Sequence, residues 1–364
     1  MGSFAATAPP ANTLQPDQMS TALPTIRARV PLRLGLAGGG TDLSPYCDQF
    51  GGAVLNTTVD RYAYAFIEPS EDGLLHFCAP DLEQEERFPL DIDALAGAQL
   101  ILHAGVTRRM ITQFAAGRLP AVRITSFVDA PPGSGLGSSS ALVVALVEAF
   151  RSLLAIPLGR YDVAHVAFEV ERLELKLAGG KQDQYAGTFG GVNFLEFLAH
   201  DRVIVNPLRV PPAVLNELQA SMLVCFTGVS RRSEAIIEDQ QRRMQTPGDV
   251  ALESLHRLKQ DAIEMKDALL RGEIARMADI LNRSWRAKQQ TAAGISTGLI
   301  AQLFDTAMAH GAMGGKVSGA GGGGFMMFIV PPARRVPILR ALRDAGAQAS
   351  NVHLVSEGAE SWQI

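Results

Sequence analysis

The sequence predicts a mixed α/β (α+β) protein made of two domains, and three observations support this prediction. At 364 residues, the chain is longer than a single hydrophobic core usually supports. Its composition, 47% hydrophobic and 19% charged residues, is typical of a globular protein. Strand-like alternation fills the first part of the chain, whereas long helical runs dominate the second part. We therefore expect domains over residues 25–210 and 211–364, which follow a disordered tail over residues 1–24.

The N-terminal elements begin with a predicted strand over residues 26–36, where apolar residues alternate with other types, Arg33 among them. A triple-glycine turn ends this strand. A short helix is expected over residues 43–50, because Thr41 and Asp42 can cap its start and two glycines stop it. Further strands are predicted at residues 53–58, 63–68, 74–78 and 122–127.

The most informative segment is the cradle, Pro-Pro-Gly-Ser-Gly-Leu-Gly-Ser-Ser-Ser at residues 131–140, which leads directly into an apolar helix over residues 141–150. Glycines at alternate positions let the backbone turn with its N–H groups exposed. The serines offer hydroxyl groups and an N-cap, and the helix directs its positive end toward the turn. The cradle is therefore typical of a polyphosphate site, although it lacks the Lys-Ser/Thr pair of a P-loop and the GxGxxG spacing of dinucleotide folds.

The remaining elements are predicted from periodicity and breaker residues. A helix over residues 161–177 precedes a Gly-Gly break at 179–180 and a strand over 191–197. Three prolines within residues 206–212 mark a domain boundary at about residues 206–220. In the second domain we expect strands at 222–226, 325–330 and 352–355, and helices at 231–245, 250–271, 273–290, 297–310 and 333–345.

Charge and composition exclude several classes of function. A net charge of −4 and a pI near 6.0 argue against a broad nucleic-acid or anionic-membrane surface. No run approaches the roughly 20 apolar residues that a membrane helix needs, so we expect a cytoplasmic protein. Cys47, Cys78 and Cys225 lie far apart, and the histidines form no HExxH pattern, which argues against a zinc site.

Three motifs in chain order resemble those of the GHMP kinase superfamily, which includes galactokinase, homoserine kinase, mevalonate kinase and phosphomevalonate kinase. The cradle resembles the second motif. Residues 31–42 resemble the first, in which Arg33 precedes Asp42 by nine positions, and residues 316–324 resemble the third, a glycine loop. The resemblance implies an N-terminal domain like ribosomal protein S5 domain 2, a ferredoxin-like C-terminal domain, and a cleft between them for nucleotide and sugar.

The resemblance also implies roles for individual residues. Asp183 follows the Gly-Gly break and would act as the general base toward the acceptor hydroxyl, with Arg33 beside it to favour the ionised carboxylate and attract the phosphoryl group. Glu171 and Ser139 would hold Mg²⁺, with Glu169 and Glu174 as alternatives to Glu171. The residues expected to bind ATP are Pro132, Gly133, Ser134, Gly135, Leu136, Gly137, Ser138, Ser139, Ser140, Gly321 and Gly322.

The substrate is expected to be a sugar phosphate. At the first motif the chain has Gly-Gly-Gly-Thr-Asp, which resembles the heptose 7-phosphate kinase branch and not the Gly-Glu-His-Thr-Asp pattern of galactokinases. The resemblance implies phosphate transfer from ATP to the anomeric hydroxyl. The residues expected to bind the substrate are Gly39, Gly40, Thr41, Asp42, Lys181 and Lys316, with Arg231 and Arg232 as further candidates for an acidic group.

Other functions stay open at this point. A fucokinase-like or other anomeric sugar kinase would need no pocket for a second phosphate group. A protein that binds nucleotide without catalysing a reaction, and acts as a regulator, is the alternative from a different functional class. Neither nucleic acid nor a membrane is expected as a partner, and a homodimer is left open.

Overall fold

The computed structural model describes residues 23–229, 234–246 and 248–364. Most of the predicted tail and the candidates Arg231 and Arg232 lie outside the described residues. The strands are β1 (Ile26–Ala37), β2 (Gly52–Pro69), β3 (Leu75–Ala79), β4 (Gln84–Phe88), β5 (Val122–Val128), β6 (Val192–Phe197), β7 (Val203–Pro207), β8 (Met222–Phe226), β9 (Gly314–Val317), β10 (Phe325–Ile329), β11 (Gln348–Ser350) and β12 (Glu360–Gln363).

The helices include one π-helical segment and three short 3-10 turns. The α-helices are α1 (Tyr46–Phe50), α2 (Ile101–Phe114), α3 (Ser138–Leu153), α4 (Arg160–Phe168), α5 (Gln182–Phe189), α6 (Pro212–Ser221), α7 (Glu234–Met244), α8 (Val250–Arg271), α9 (Ile274–Thr291), α10 (Gly298–Ala309) and α11 (Arg335–Asp344). The 3-10 turns are Pro80–Leu82, Ile92–Gly97 and Pro332–Arg334, and the π-helical segment is Glu169–Glu174.

The first sheet has eight strands in the order β12-β1-β2-β5-β3-β4, with β6 and β7 added alongside β2. Its neighbouring strands run antiparallel, except that β3 and β5 are parallel. Strand β2 appears as two strands in the sequence prediction, but it is one continuous strand. Its first half pairs with β6 and its second half with β5, so each half has its own partner.

The second sheet is antiparallel, in the order β11-β8-β10-β9. Its strands β8 and β10 are buried along their whole length. The main hydrophobic core extends from the first sheet to helices α8 and α9, where Met265 and Met277 are fully buried with residues of β1. Residues of both sheets therefore belong to one continuous apolar core, and this close packing fixes the position of each sheet relative to the other.

The C-terminus returns to the first sheet, a result that the sequence analysis does not predict. The strand expected over residues 352–355 is wrong: only Leu354 forms a bridge, to Val59. Instead β12 pairs with β1, and Ser361 Oγ donates a hydrogen bond of 2.8 Å to Glu148 of α3. The domain boundary between residues 210 and 211 remains a prediction. Strand β12, although it follows this boundary, belongs to the first sheet.

Several other elements differ from the sequence prediction. Helices α2, α5 and α6 and strands β4, β7 and β9 are not predicted, and the helix expected over 161–177 ends as an α-helix at Phe168. Helix α8 is predicted with its observed bounds. Among the described residues, none of the helices combines the length and apolar character needed to cross a bilayer.

Leu34 lies in the middle of β1, next to Arg33, and is fully buried. Leu34→Ala is expected to lower the free energy of unfolding by about 2–5 kcal/mol, because it removes buried methyl groups and leaves a cavity. Denaturant unfolding followed by circular dichroism measures this change. Leu82→Ala, at a side chain that is 45% exposed, is the control and should stay within about 0.5 kcal/mol of the parent. Equal effects of the two substitutions would contradict the assigned core.

Candidate active site

A cleft of about 430 Å³ opens between the two sheets, a volume in the usual range for small-molecule sites. Its walls are contributed by the loop after β1, the cradle, the π-helical segment, the start of α5, helices α7 to α9, and the loop after β9. All three sequence motifs therefore meet at one cleft.

The cradle turns by means of alternate glycines that have positive φ. Gly133, Gly135 and Gly137 have φ values of +70°, +78° and +76°, a backbone region that other residues rarely adopt. These three glycines line the cleft, whereas Ser134 and Leu136 are buried beneath them. The predicted ATP-binding role of these two side chains is therefore corrected: Leu136 packs in the core, and Ser134 lies against the third motif.

The last three serines of the cradle, Ser138, Ser139 and Ser140, form the first turn of α3 and do not cap it. Gly137 occupies the N-cap position, and no side-chain hydrogen bond caps this helix among the described residues. The predicted serine N-cap is wrong, because positive φ at this position favours glycine. Consequently the N–H groups of the first turn point toward the cleft end of the helix, the arrangement that binds anions.

Arg33 joins Asp183 to two glycine loops. Its Nε donates a hydrogen bond of 2.7 Å to Asp183 Oδ1, and its Nη1 donates one of 2.6 Å to the carbonyl oxygen of Gly135. Nη1 also lies 3.3 Å from Ser318 Oγ. Arg33 is only 4% exposed, so this contact is a mostly desolvated ion pair. The structure thus brings Arg33 and Asp183 together, as the sequence analysis expects.

The loop after β1 presents Asp42 to the start of α5. Both the backbone N–H and the side-chain amide of Gln182 donate to the Asp42 carboxylate, at 3.1 and 3.0 Å. Gly39 and Gly40 line the cleft beside it. Thr41, expected to bind substrate, instead donates to the carbonyl oxygens of Gly38 and Ala53 and is completely buried. Its role in the structure is to fasten this loop to β2.

Glu171 lies in the π-helical segment and is almost completely buried. Ser139 Oγ donates a hydrogen bond to its Oε1, and Gln184 Nε2 donates one of 2.7 Å to its Oε2. Arg172 Nη1 lies 3.3 Å from the same carboxylate. π-Helical turns inside α-helices occur frequently at functional sites, and this one places a carboxylate beside the cradle.

The alternatives Glu169 and Glu174 face elsewhere. Both carboxylates pair with Arg109 of α2, which contacts the two ends of the π-helical segment. Neither lines the cleft, whereas Glu171 does. The structure therefore favours Glu171 over Glu169 and Glu174 as a candidate ligand for Mg²⁺.

The third motif contributes different residues from those expected. Gly319 and Ala320 line the cleft. Gly321 and Gly322 do not: a Cβ on Gly321 would lie 2.7 Å from the side chain of Ile295, and Gly322 N donates to the Ile295 carbonyl oxygen at 2.8 Å. Their predicted contact with ATP is corrected to a packing role, because after Ala320 the loop packs against Ile295, in the segment between α9 and α10.

Lys181 is also corrected. It is 3% exposed, and its Nζ lies 2.6 Å from Asp201 Oδ1 and 3.8 Å from Asp48 Oδ1. It does not line the cleft, although its neighbours Gly180 and Gln182 do. The side chain is directed away from the cleft and forms ion pairs with Asp201 and Asp48.

Sequence reasoning missed several side chains that line the cleft. Lys288 of α9 is the most notable, with Nζ 3.3 Å from both the carbonyl oxygen of Gly39 and Gln240 Oε1. Burial lowers the pKa of Lys288 to about 8. Burial, together with repulsion from Lys288 and Arg33, lowers the pKa of Lys316 to about 7. Helix periodicity alone gives no signal that distinguishes Lys288 from solvent-facing lysines.

Comparison with known proteins agrees with this architecture. The family described as GHMP kinases N terminal domain matches residues 102–191, and GHMP kinases C terminal matches residues 265–348. The chain is 41% identical to a D-glycero-alpha-D-manno-heptose 7-phosphate kinase of Campylobacter jejuni, over 93% of this chain and 99% of that protein. The chain belongs to the GHMP kinases.

Other GHMP kinases are similar to different degrees. A solved structure described as a D-glycero-D-manno-heptose 1-phosphate kinase from Bacteroides thetaiotaomicron is 39% identical, with a TM-score of 0.79, and covers 93% of this chain and 99% of that one. A bifunctional fucokinase/GDP-fucose pyrophosphorylase of Arabidopsis thaliana is 25% identical over 86% of this chain, but over only 30% of its own length. The two-domain GHMP kinase fold expected from the motifs is thereby confirmed.

Gly180 allows the close approach between α5 and the loop after β1. A Cβ on Gly180 would lie 1.8 Å from Asp42 Oδ2, so Gly180→Ala must displace this carboxylate. We expect kcat/KM of the kinase reaction to fall about tenfold or more, equivalent to roughly 1.4 kcal/mol of transition-state stabilisation. Gly97→Ala, where an added Cβ meets no atom within 4 Å, is the matched control. Rates of the two variants within twofold of each other would show that the position of Asp42 does not matter.

Proposed function

We propose that this GHMP kinase transfers the γ-phosphate of ATP to the anomeric hydroxyl of D-glycero-D-manno-heptose 7-phosphate, which yields the 1,7-bisphosphate. The observation that carries this proposal is the 41% identity to a heptose 7-phosphate kinase along nearly the whole of both chains. The fucokinase alternative is less well supported, at 25% identity. A silent regulator is disfavoured because Arg33 and Asp183 form a desolvated ion pair at the cleft.

Asp183 is proposed to take the proton of the acceptor hydroxyl. Its Oδ1 accepts from Arg33 at 2.7 Å, and the side chain remains partly exposed toward the cleft. This hydrogen bond from Arg33, whose Nη1 is itself anchored to Gly135, holds the carboxylate in one orientation, as catalysis by a fixed base requires. Arg33 also offers positive charge beside the point where phosphoryl transfer would occur.

The cradle is proposed to bind the phosphates of ATP through backbone N–H groups at the start of α3. This assignment rests on the positive-φ glycines and on the dipole of a 16-residue helix. Of the predicted residues, Pro132, Gly133, Gly135, Gly137, Ser138, Ser139 and Ser140 line the cleft.

Ser139 of the cradle and Glu171 of the π-helical segment could together bind a magnesium ion. Ser139 and Glu171 supply a hydroxyl and a carboxylate that already touch, and hard oxygen donors of this kind suit Mg²⁺. When bound, the ion would neutralise charge on the phosphate oxygens. Gln184 and Arg172 hold the Glu171 carboxylate in place.

The proposed product is an anomeric sugar phosphate, the form that nucleotidyl transfer uses to make activated sugars for surface glycans. Such a reaction would take place in the cytoplasm, where ATP and sugar phosphates are available. The names of the two similar proteins differ in the position of the phosphate that the sugar already bears. Incubation with ATP and each heptose monophosphate, followed by phosphorus NMR, tests the proposal. A new anomeric phosphate signal from the 7-phosphate supports it, and reaction with the 1-phosphate alone would reject it.

Asp183→Asn is expected to retain ATP binding and to lower kcat by roughly 10²- to 10⁴-fold, because the amide cannot accept the hydroxyl proton. Steady-state kinetics and titration with an ATP analogue measure the two quantities. Asp305→Asn, on the exposed surface of α10, is the control and should match the parent. Undiminished turnover in Asp183→Asn would remove Asp183 from the mechanism.

Ser139→Ala is expected to raise the Mg²⁺ concentration that gives half-maximal activity by roughly tenfold or more, because one oxygen donor is lost. A magnesium titration at saturating ATP and sugar measures this shift. Ser152→Ala, near the other end of the same helix, should leave the titration unchanged. An identical magnesium requirement in both variants would argue against Ser139 as a ligand.

A further inference from the structure

The basic side chains of the cleft differ in whether a carboxylate neutralises them. Arg33 pairs with Asp183, and Arg172 contacts Glu171 and several carbonyl oxygens. Lys288 is different, since its hydrogen-bond partners are two neutral oxygens at 3.3 Å.

Lys316 also lacks a neutralising partner. In the described part of the chain, neither it nor Lys288 has a carboxylate within 4.0 Å, and the ammonium group of Lys316 makes no hydrogen bond. The two ammonium groups are close enough to repel each other, and Asp261 provides only a distant attraction to Lys316. Both ammonium groups are partly buried, and Asp42 attracts Lys288 only from beyond ion-pair distance. Desolvated cations without a paired carboxylate are costly, and an anion bound between them would offset this cost.

The two lysines line the part of the cleft that is expected to hold the sugar. Lys288 Nζ contacts the carbonyl oxygen of Gly39, beside Gly40 and Asp42 of the first motif. Both lysines come from the C-terminal part of the chain, on α9 and β9, whereas the cradle and Glu171 come from the N-terminal part. Among the described residues, neither lysine forms a hydrogen bond or ion pair with Ser139 or Glu171, the oxygen donors assigned to Mg²⁺.

We infer that Lys288 and Lys316 form a binding site for the phosphomonoester that the sugar substrate already bears. Gln240, which holds Lys288 Nζ through its amide oxygen, positions this ammonium group. The inference rests on the proposed sugar phosphate kinase activity and makes it more specific. A phosphate dianion bound between the lysines would neutralise both charges and remove their mutual repulsion.

The site would also explain selection for a phosphorylated sugar. A free sugar leaves both cations without a counter-charge, whereas a sugar phosphate supplies one. Charged hydrogen bonds of this kind contribute about 1.5–3 kcal/mol each, so each lysine accounts for a selectivity of roughly 10- to 100-fold.

The test compares heptose 7-phosphate with free heptose as acceptors in the parent, Lys288→Met and Lys316→Met. The expected result is that kcat/KM falls roughly 10- to 100-fold for heptose 7-phosphate and less than about threefold for free heptose. Lys266→Met, whose side chain lies over Phe194 outside the cleft, is the matched control and should preserve the selectivity. Equal losses on both acceptors would overturn the inference and assign the lysines to the transferred phosphoryl group.

A second measurement does not depend on the identity of the sugar. Inorganic phosphate is titrated against the protein saturated with a non-hydrolysable ATP analogue and Mg²⁺, and phosphorus NMR line broadening reports its binding. Binding to the parent that is weakened at least tenfold in both lysine variants supports the site. Absence of phosphate binding to the parent, or equal binding to all variants, would reject it. If phosphate binds as expected but heptose 7-phosphate is not phosphorylated, the proposed acceptor fails and the anion site stands.

Discussion

The rest of the site depends on the hydrogen bonds that the guanidinium of Arg33 donates. It joins β1 to Asp183, to the carbonyl oxygen of Gly135 and to the hydroxyl of Ser318, so it links four segments that are distant in sequence. Because these partners are mostly buried, the orientation of the guanidinium is fixed by several hydrogen bonds at once. Asp183, the cradle and the third glycine loop are consequently held in one geometry.

The glycines make this convergence sterically feasible. A Cβ on Gly135 would lie 2.4 Å from the carbonyl oxygen of Ser318, and one on Gly324 would lie 2.3 Å from that of Ser134. The second and third motifs therefore touch through their backbones, which only residues without side chains permit. Glycine richness in both motifs therefore serves this mutual packing, and Gly321 and Gly322 likewise pack against Ile295 and do not line the cleft.

The sequence predicts the parts of the site that depend on motifs, and it misses the parts that depend on tertiary packing. The approach of Arg33 to Asp183 and the position of Glu171 beside Ser139 follow the expectation. Lys181 does not follow the expectation. It precedes α5 in a loop, and no local sequence pattern shows that Gln182 faces the cleft while Lys181 faces Asp201. For the fold, the amphipathic periodicity of the sequence predicts helix α8. Strand β12 is not predictable in this way, because it forms by pairing with β1, which lies more than 300 residues earlier.

The position of β12 has a consequence for how this protein is made. During synthesis, β1 emerges from the ribosome long before β12, its neighbour on one side, because the two strands lie more than 300 residues apart in the chain. Until then β1 has an unpaired edge, the kind of surface that promotes association between nascent chains. The first sheet therefore cannot reach its final form by vectorial folding alone, because the edge of the strand that carries Arg33 into the cleft stays incomplete until β12 has emerged.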